Sequence, residues 1–291
     1  MEREERVTFP NDQGQILKGV LHYPAGSTFS AASILCHGME SNKESEKLVT
    51  LGRALAQKGI LSLRFDFACA GESGGKFEEI TYSGEVRDLR AAFNHIRQYP
   101  VRKIGIFGSS MGGTVALLFA AQEPQVANLV TMAAPFHPEK FTDKLLTREE
   151  VENWRRLGHL LYHGQRINVS LLDDLQRLDV SGAAKKISCP VLILHGDADE
   201  TVPVEEAEEL YAQLRGPKKI RILKGADHRF RPQSADNRDG RISSLDDATL
   251  AVKADAKGLC PNCFVSLLTG RSIRSLPEGS AQRAGRGGRV C

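Results

Sequence analysis

Short apolar runs recur along the chain at 32–36, 60–65, 103–107, 129–133, 191–195 and 220–223. Each predicts a buried strand. Between most of them the apolar positions follow helical spacing: Leu48, Leu51 and Leu55; Val86, Leu89, Phe93 and Ile96; Ala207, Leu210, Tyr211 and Leu214. Pro203 suits the first turn of the last of these. Strands alternating with helices predict an α/β fold, a mostly parallel central sheet with helices on both faces. Upstream, 6–8 and 16–23 predict an antiparallel hairpin leading in.

The alternation breaks from Phe136 to about Ile187. No clear strand stands there, only helix-like pieces at 148–161 and 171–178. About fifty residues is too long for an ordinary loop. Residues 136–187 are therefore expected to form an inserted helical cap, with the core at 1–135 and 188–230. After His228 the chain turns polar and rich in Gly, Ser and Arg. Residues 231–291 are expected to be an atypical, poorly ordered tail.

Composition adds little to this picture. With 291 residues, 41% hydrophobic and 26% charged, the chain suits one large soluble domain with an insertion. No window approaches the roughly eighteen apolar residues of a membrane helix. The N-terminus is charged and lacks a secretion signal, so a cytoplasmic location is expected. The six cysteines are scattered and read as reduced thiols. Of the net charge of +3, residues 231–291 carry +4 from ten Lys/Arg and six Asp/Glu. The body is close to neutral, which gives no argument for a nucleic-acid partner.

The chemistry begins at Gly108-Ser109-Ser110-Met111-Gly112, which fits G-x-S-x-G. An apolar strand precedes it, and a helical pattern (Val115, Leu118, Phe119) follows. A sharp strand-to-helix turn exposes the central serine, and the glycine spacing selects Ser110 over Ser109. A serine hydroxyl needs a base, and the base needs an orienting carboxylate. In this arrangement the chain order is Ser, Asp/Glu, His. Here an acidic turn, with Asp197 and Asp199, follows the strand at 191–195, and His228 follows the strand at 220–223.

Five stretches, in this order, carry a resemblance. They are Leu35-Cys-His-Gly-Met-Glu-Ser-Asn-Lys43, Phe65-Asp-Phe-Ala-Cys-Ala-Gly-Glu-Ser73, Gly108-Ser-Ser-Met-Gly-Gly113, His195-Gly-Asp-Ala-Asp-Glu-Thr-Val-Pro203 and Gly225-Ala-Asp-His228. The chain resembles the α/β-hydrolase superfamily. Within it, the likeness is to small bacterial carboxylesterases of the feruloyl esterase and serine-aminopeptidase-like group. The resemblance implies an α/β-hydrolase fold and a catalytic triad of Ser110, Asp199 and His228. It leaves Asp197 to shape the turn, and His37 and His195 to shape loops. It implies oxyanion-hole N–H groups at Met39 and Met111. Two departures stand out. The loop 68–71 lacks the histidine or other polar residue often found there. Residues 231–291 do not read as the family's final helix.

These features predict a serine hydrolase that cleaves carboxylic esters through an acyl-enzyme on Ser110, acting on a small-molecule ester without metal or organic cofactor. Peptidase, thioesterase or lysophospholipase activity uses the same triad. A non-catalytic binding module of this fold is a further alternative. Dehalogenase chemistry is disfavoured, since related dehalogenases carry Asp where Ser110 stands. Phe136 and Trp154 are candidates for the substrate pocket. The stripe Trp154, Leu157, Leu160 and Leu161 either lines that pocket or packs the cap on the body. His137, His159 and His163 read as surface or pocket histidines. Cys260 and Cys263 form a lone C-x-x-C, half of what a structural zinc site needs. The basic ending, 283–289, reads as a solvated chain end.

Overall fold

The computed structural model describes residues 3–230, apart from 27, 141, 144 and 145. The chain opens with a hairpin of β1 (Arg3–Pro10) and β2 (Ile16–Tyr23). Strands and helices then alternate: β3 (Ala31–Cys36), α1 (Glu46–Gln57), β4 (Leu61–Asp66), α2 (Tyr82–Ile96), β5 (Lys103–Ser109), α3 (Met111–Ala120) and β6 (Val126–Met132). Next come α4 (Arg148–Leu157), β7 (His159–Tyr162), β8 (Gln165–Asn168), α5 (Val169–Leu175) and α6 (Val180–Lys186). The described part ends with β9 (Val191–Gly196), α7 (Val204–Gln213), β10 (Lys218–Leu223) and a loop to Phe230.

One sheet runs β1-β2-β4-β3-β5-β6-β9-β10, parallel from β4 to β10. β3, β4 and β9 are buried at every position, which explains the mainly apolar sequences of β3 and β9; β4 also buries Ser62, Arg64 and Asp66, each with a hydrogen-bond partner. Successive side chains feed two separate cores, as strand pleating requires. Ile34, Ile106, Leu129 and Ile193 pack with α2 and α3 on one face. Leu35, Phe107, Val130 and Leu194 pack with Leu48 and Leu55 of α1 on the other. All ten residues of α3 are buried, so this helix is apolar all round. β1 extends well beyond its predicted run into exposed residues, because ladder hydrogen bonds continue where burial does not.

The segment 136–187 differs from a purely helical insertion. The helical spacing of Trp154, Leu157, Leu160 and Leu161 predicts one helix through 161, but α4 ends at Gly158, its left-handed cap. Beyond it, β7 and β8 form a hairpin closed by a two-residue turn at 163–164, where both φ values are positive. Leu160 faces Ile167 across that hairpin, while Leu161 is exposed. The second helix-like piece resolves into α5 and a further helix, α6, capped by Asp179 through the Gly182 N–H. The tail, with Cys260, Cys263 and the basic ending, lies outside the described residues.

Trp154 joins these pieces. It has no exposed surface, belongs to the main core, and its indole N–H donates to Ile167 O at 3.1 Å. Trp154→Ala is expected to lower stability by about 3–5 kcal/mol, the usual cost of deleting a buried aromatic. Trp154→Phe, which keeps much of the volume but loses the indole hydrogen bond to the Ile167 carbonyl, should cost about 0.5–1.5 kcal/mol. Urea unfolding of both variants checks the two costs and their order.

Candidate active site

Parallel strands deliver their following loops to one edge of the sheet, and the candidate residues gather there. Ser110 follows β5 with φ 54° and ψ −128°, a conformation disfavoured for any side chain but glycine. Its N–H donates to Met132 O at 2.8 Å, and its carbonyl accepts from Gly113 N–H at 2.8 Å. Both bonds hold the turn that lifts the hydroxyl off the sheet. The turn also needs room: a Cβ on Gly112 would sit 2.2 Å from the His37 carbonyl oxygen. Only glycine lets α3 begin so close to the loop after β3.

His228 lies 3.1 Å from Ser110 Oγ through Nε2 and 2.8 Å from Asp199 Oδ2 through Nδ1. The three side chains therefore form a continuous relay, although His228 and Ser110 are 118 residues apart. The histidine loop is held from both ends. Ala198 N–H donates to Ala226 O, and Gly225 N–H donates to Asp197. Gly196 is again a contact point, since a Cβ there would meet Ala226 O at 2.0 Å. At the far end, Phe230 is buried in the second core beside Leu48 and Phe107. Asp197 thus shapes the loop, while Asp227 accepts from the Arg229 N–H.

Asp199 is fixed more tightly than its partners. Its Oδ1 accepts from Thr201 N–H and Val202 N–H at 3.0 and 2.8 Å. His195 Nε2 stands 2.8 Å from Val202 O and 3.4 Å from Asp199 Oδ2. Burial pushes the Asp199 carboxyl pKa up. The hydrogen bonds from His195, His228 and Val202, with the charge of His228, outweigh it and hold the group well below the usual carboxylate range.

His37 controls the neighbouring loop. Its Nε2 accepts from Phe67 N–H at 3.1 Å, so the ring proton is on Nδ1 and donates to Gly38 O at 2.8 Å. Burial keeps this imidazole neutral, its pKa below the ordinary value. The Gly38 carbonyl and the Met39 N–H belong to one peptide plane, so the same bond orients that N–H. Below it, buried Asp66 accepts from both the N–H and the ammonium of Lys43, at 2.6 and 2.7 Å, and ties the loop to β4. Met111 N–H is the first of α3 and has no intrahelical acceptor. Among the described residues, neither the Met39 nor the Met111 N–H is taken by another group.

The candidate pocket residues offer little surface. Phe136 keeps 4% of its surface, and Trp154 none, which fits the packing alternative for that stripe. His137 pairs with Glu139 and Glu209, and His163 with Glu40, while His159 contacts Leu157 O. Among the described residues, no group of three or more His, Cys, Asp or Glu could hold a metal ion. Among the described residues, no helix is long and apolar enough to cross a membrane. A cavity of about 270 Å³, lined in part by Asn11, Glu85 and Asp88, shares no residue with the relay. Phe230 and Lys43 escaped the sequence reading. The only signal for Phe230 was one apolar residue in a polar stretch.

Residues 28–178 match the family described as serine aminopeptidase, S33. An uncharacterized protein, YqkD of Bacillus subtilis, is 28% identical over 78% of this chain and 74% of its own length. An uncharacterized peptidase, YtmA of the same organism, is 31% identical over 56% of this chain and 63% of its own. Among solved structures, Est1E from Butyrivibrio proteoclasticus with ferulic acid bound superposes with a TM-score of 0.73 at 25% identity, covering 87% of this chain and 98% of that one.

The lowered Asp199 pKa has a pH signature. Its stabilising contribution is complete above the unfolded value of about 3.9 and is lost as pH falls through the folded one. Asp199→Asn is expected to be less stable than the wild type in urea at pH 7, by about 1–3 kcal/mol. The gap should narrow below about pH 4. A gap unchanged between pH 7 and pH 3 would mean that the carboxylate charge contributes nothing.

Proposed function

The chain belongs to the serine aminopeptidase S33 family of α/β-fold hydrolases, and from that premise we propose that it cleaves carboxylic esters through an acyl-enzyme on Ser110. The observation that carries this reading is the relay itself: Asp199 Oδ2 to His228 Nδ1 at 2.8 Å, and His228 Nε2 to Ser110 Oγ at 3.1 Å.

His228 takes the Ser110 proton as Oγ attacks the ester carbonyl carbon. Asp199 holds the imidazole with Nε2 free to accept, and stabilises the imidazolium that forms. The carbonyl oxygen becomes an oxyanion held by the Met39 and Met111 N–H groups, each worth about 2.7–4 kcal/mol of barrier. The intermediate collapses, the carbonyl re-forms, and His228 returns its proton to the leaving alcohol. Water then repeats the cycle on the acyl-enzyme, releasing the acid and free Ser110. The sequence of steps is acid–base and acyl transfer throughout, with every proton held by His228.

Peptide and thioester carbonyls enter the same cycle. The esterase reading is favoured by the likeness to Est1E, and its bound ferulic acid suggests aromatic acids among the substrates to try. The family description keeps peptides as the second reading.

Hydrolysis of p-nitrophenyl acetate, butyrate and octanoate, and of methyl ferulate, tests the proposal. Ser110→Ala should lower kcat/KM by at least about 10³-fold and abolish labelling by a fluorophosphonate probe. A folded wild-type chain that turns over no ester and is not labelled would sink the serine-hydrolase reading. Faster cleavage of aminoacyl p-nitroanilides than of esters would move it to the peptidases.

A further inference from the structure

Lys47 lies in the first turn of α1, outside the relay, yet its ammonium ends among the groups that hold the relay together. Nζ donates to the Ser109 hydroxyl at 3.1 Å, one residue before the nucleophile. It also lies 5.6 Å from the centre of the Phe230 ring, the apolar anchor of the histidine loop. A cation over an aromatic face is attracted by the ring's negative quadrupole. The Asp227 and Asp199 carboxylates lie near enough to act on its charge. One side chain thus bridges α1, the end of β5 and the loop that carries His228.

We propose that Lys47 is a positioning residue for His228: its charged ammonium fastens the histidine loop to the end of the nucleophile strand and so keeps the imidazole in line with Ser110. The consequence for rate rests on the serine-hydrolase reading. The consequence for geometry does not.

The charge is what matters. A neutral amine keeps its hydrogen-bonding capacity toward Ser109 but loses the attraction to the ring and to both carboxylates. The groups facing it are Ser109 from β5, Phe230 and Asp227 from the histidine loop, and Asp199 from the loop after β9. On its own element Glu46 is exposed, and Glu44 just before it is engaged by Arg64. Burial pushes the Lys47 pKa down to about 8, against the pull of Asp227 and then Asp199.

Two pH effects of opposite sign follow. Because the folded pKa lies below the unfolded one, the charged form costs stability at low pH. That cost is relieved as pH rises from about 8 toward about 10.4. Over the same range the loop loses its fastening, so activity falls while stability rises. A residue serving only to hold the fold together would move both the same way.

The test uses the full chain, Lys47→Met and Lys47→Arg. Activity on p-nitrophenyl acetate and urea stability are measured from pH 6 to 10. The His228 Nδ1–H proton is followed by NMR in protein labelled with ¹⁵N-histidine. Lys47→Met should lose about tenfold in kcat/KM at pH 7, the scale of a slightly misplaced base, with KM nearly unchanged. The wild type should show an alkaline limb near pH 8 that is absent in Lys47→Met, and absent up to pH 10 in Lys47→Arg, whose guanidinium keeps its charge. The His228 proton should shift or broaden in Lys47→Met and keep its wild-type position in Lys47→Arg. The wild-type limb and its opposed stability trend need no substitution, so a poorly folding variant does not block the test. Wild-type activity, alkaline limb and NMR signal in Lys47→Met would overturn the proposal while leaving the hydrolase reading intact. A changed His228 signal in Lys47→Met, in a chain that hydrolyses nothing, would uphold the positioning role and reject the hydrolase reading.

Discussion

The site depends on how closely loops from different strands can approach at one edge of the sheet. At Gly112 the start of α3 meets the His37 carbonyl, and at Gly196 the loop after β9 meets Ala226. A methyl group at either point would force backbone apart, since the atoms it would strike are carbonyl oxygens. The hydrogen-bond distances from Asp199 to His228 to Ser110 exist because those two contacts leave no slack. The strained φ of Ser110 is tolerated for the same reason: the Met132 and Gly113 bonds on either side over-determine the turn.

Around this edge the protein buries charge where charge orients something. Asp199 accepts two backbone N–H groups besides its histidine, so its carboxylate is stabilised by fixed dipoles and not by water. Lys43 and Asp66 pair beneath the loop after β3 with almost no exposure on either side chain. Such pairs return little net stability, because desolvation offsets most of the attraction. What they fix is geometry. The Lys43–Asp66 pair and the neutral His37 both act on the short stretch that ends at the Met39 N–H, one from below and one through its own peptide plane.

The segment between β6 and β9 reaches the same region from above. The tip of its hairpin bends back so that His163 meets Glu40, the residue after Met39, at 2.8 Å. Tyr162 stacks on His163 at 4.1 Å between ring centres. The hairpin is held below by Trp154 and Ile167, while Leu157 and Leu161 remain exposed on its outer side.

Much of this was legible in the residues themselves. The alternation of apolar runs and helical stripes predicts the parallel sheet because strands buried on both faces are mostly apolar. Ser110 stands out because a strand-to-helix turn needs glycine on both sides, a demand local to five residues. That Ser110, the acid and His228 share one edge follows from strands that all point one way. The hairpin at 159–168 was not legible. Its leucines keep a helical spacing past Gly158, which hides two local signals: the glycine that ends α4 and the glycine in the turn at 163–164. Phe230 and Lys47 were silent for a different reason. Each matters through partners more than sixty residues away, and such contacts leave no period or motif in the chain. The sequence by itself determined which residues could react, because local backbone geometry and burial restrict residue type. Tertiary structure alone decided how they are held, because that depends on the register of strands and the approach of loops distant along the chain.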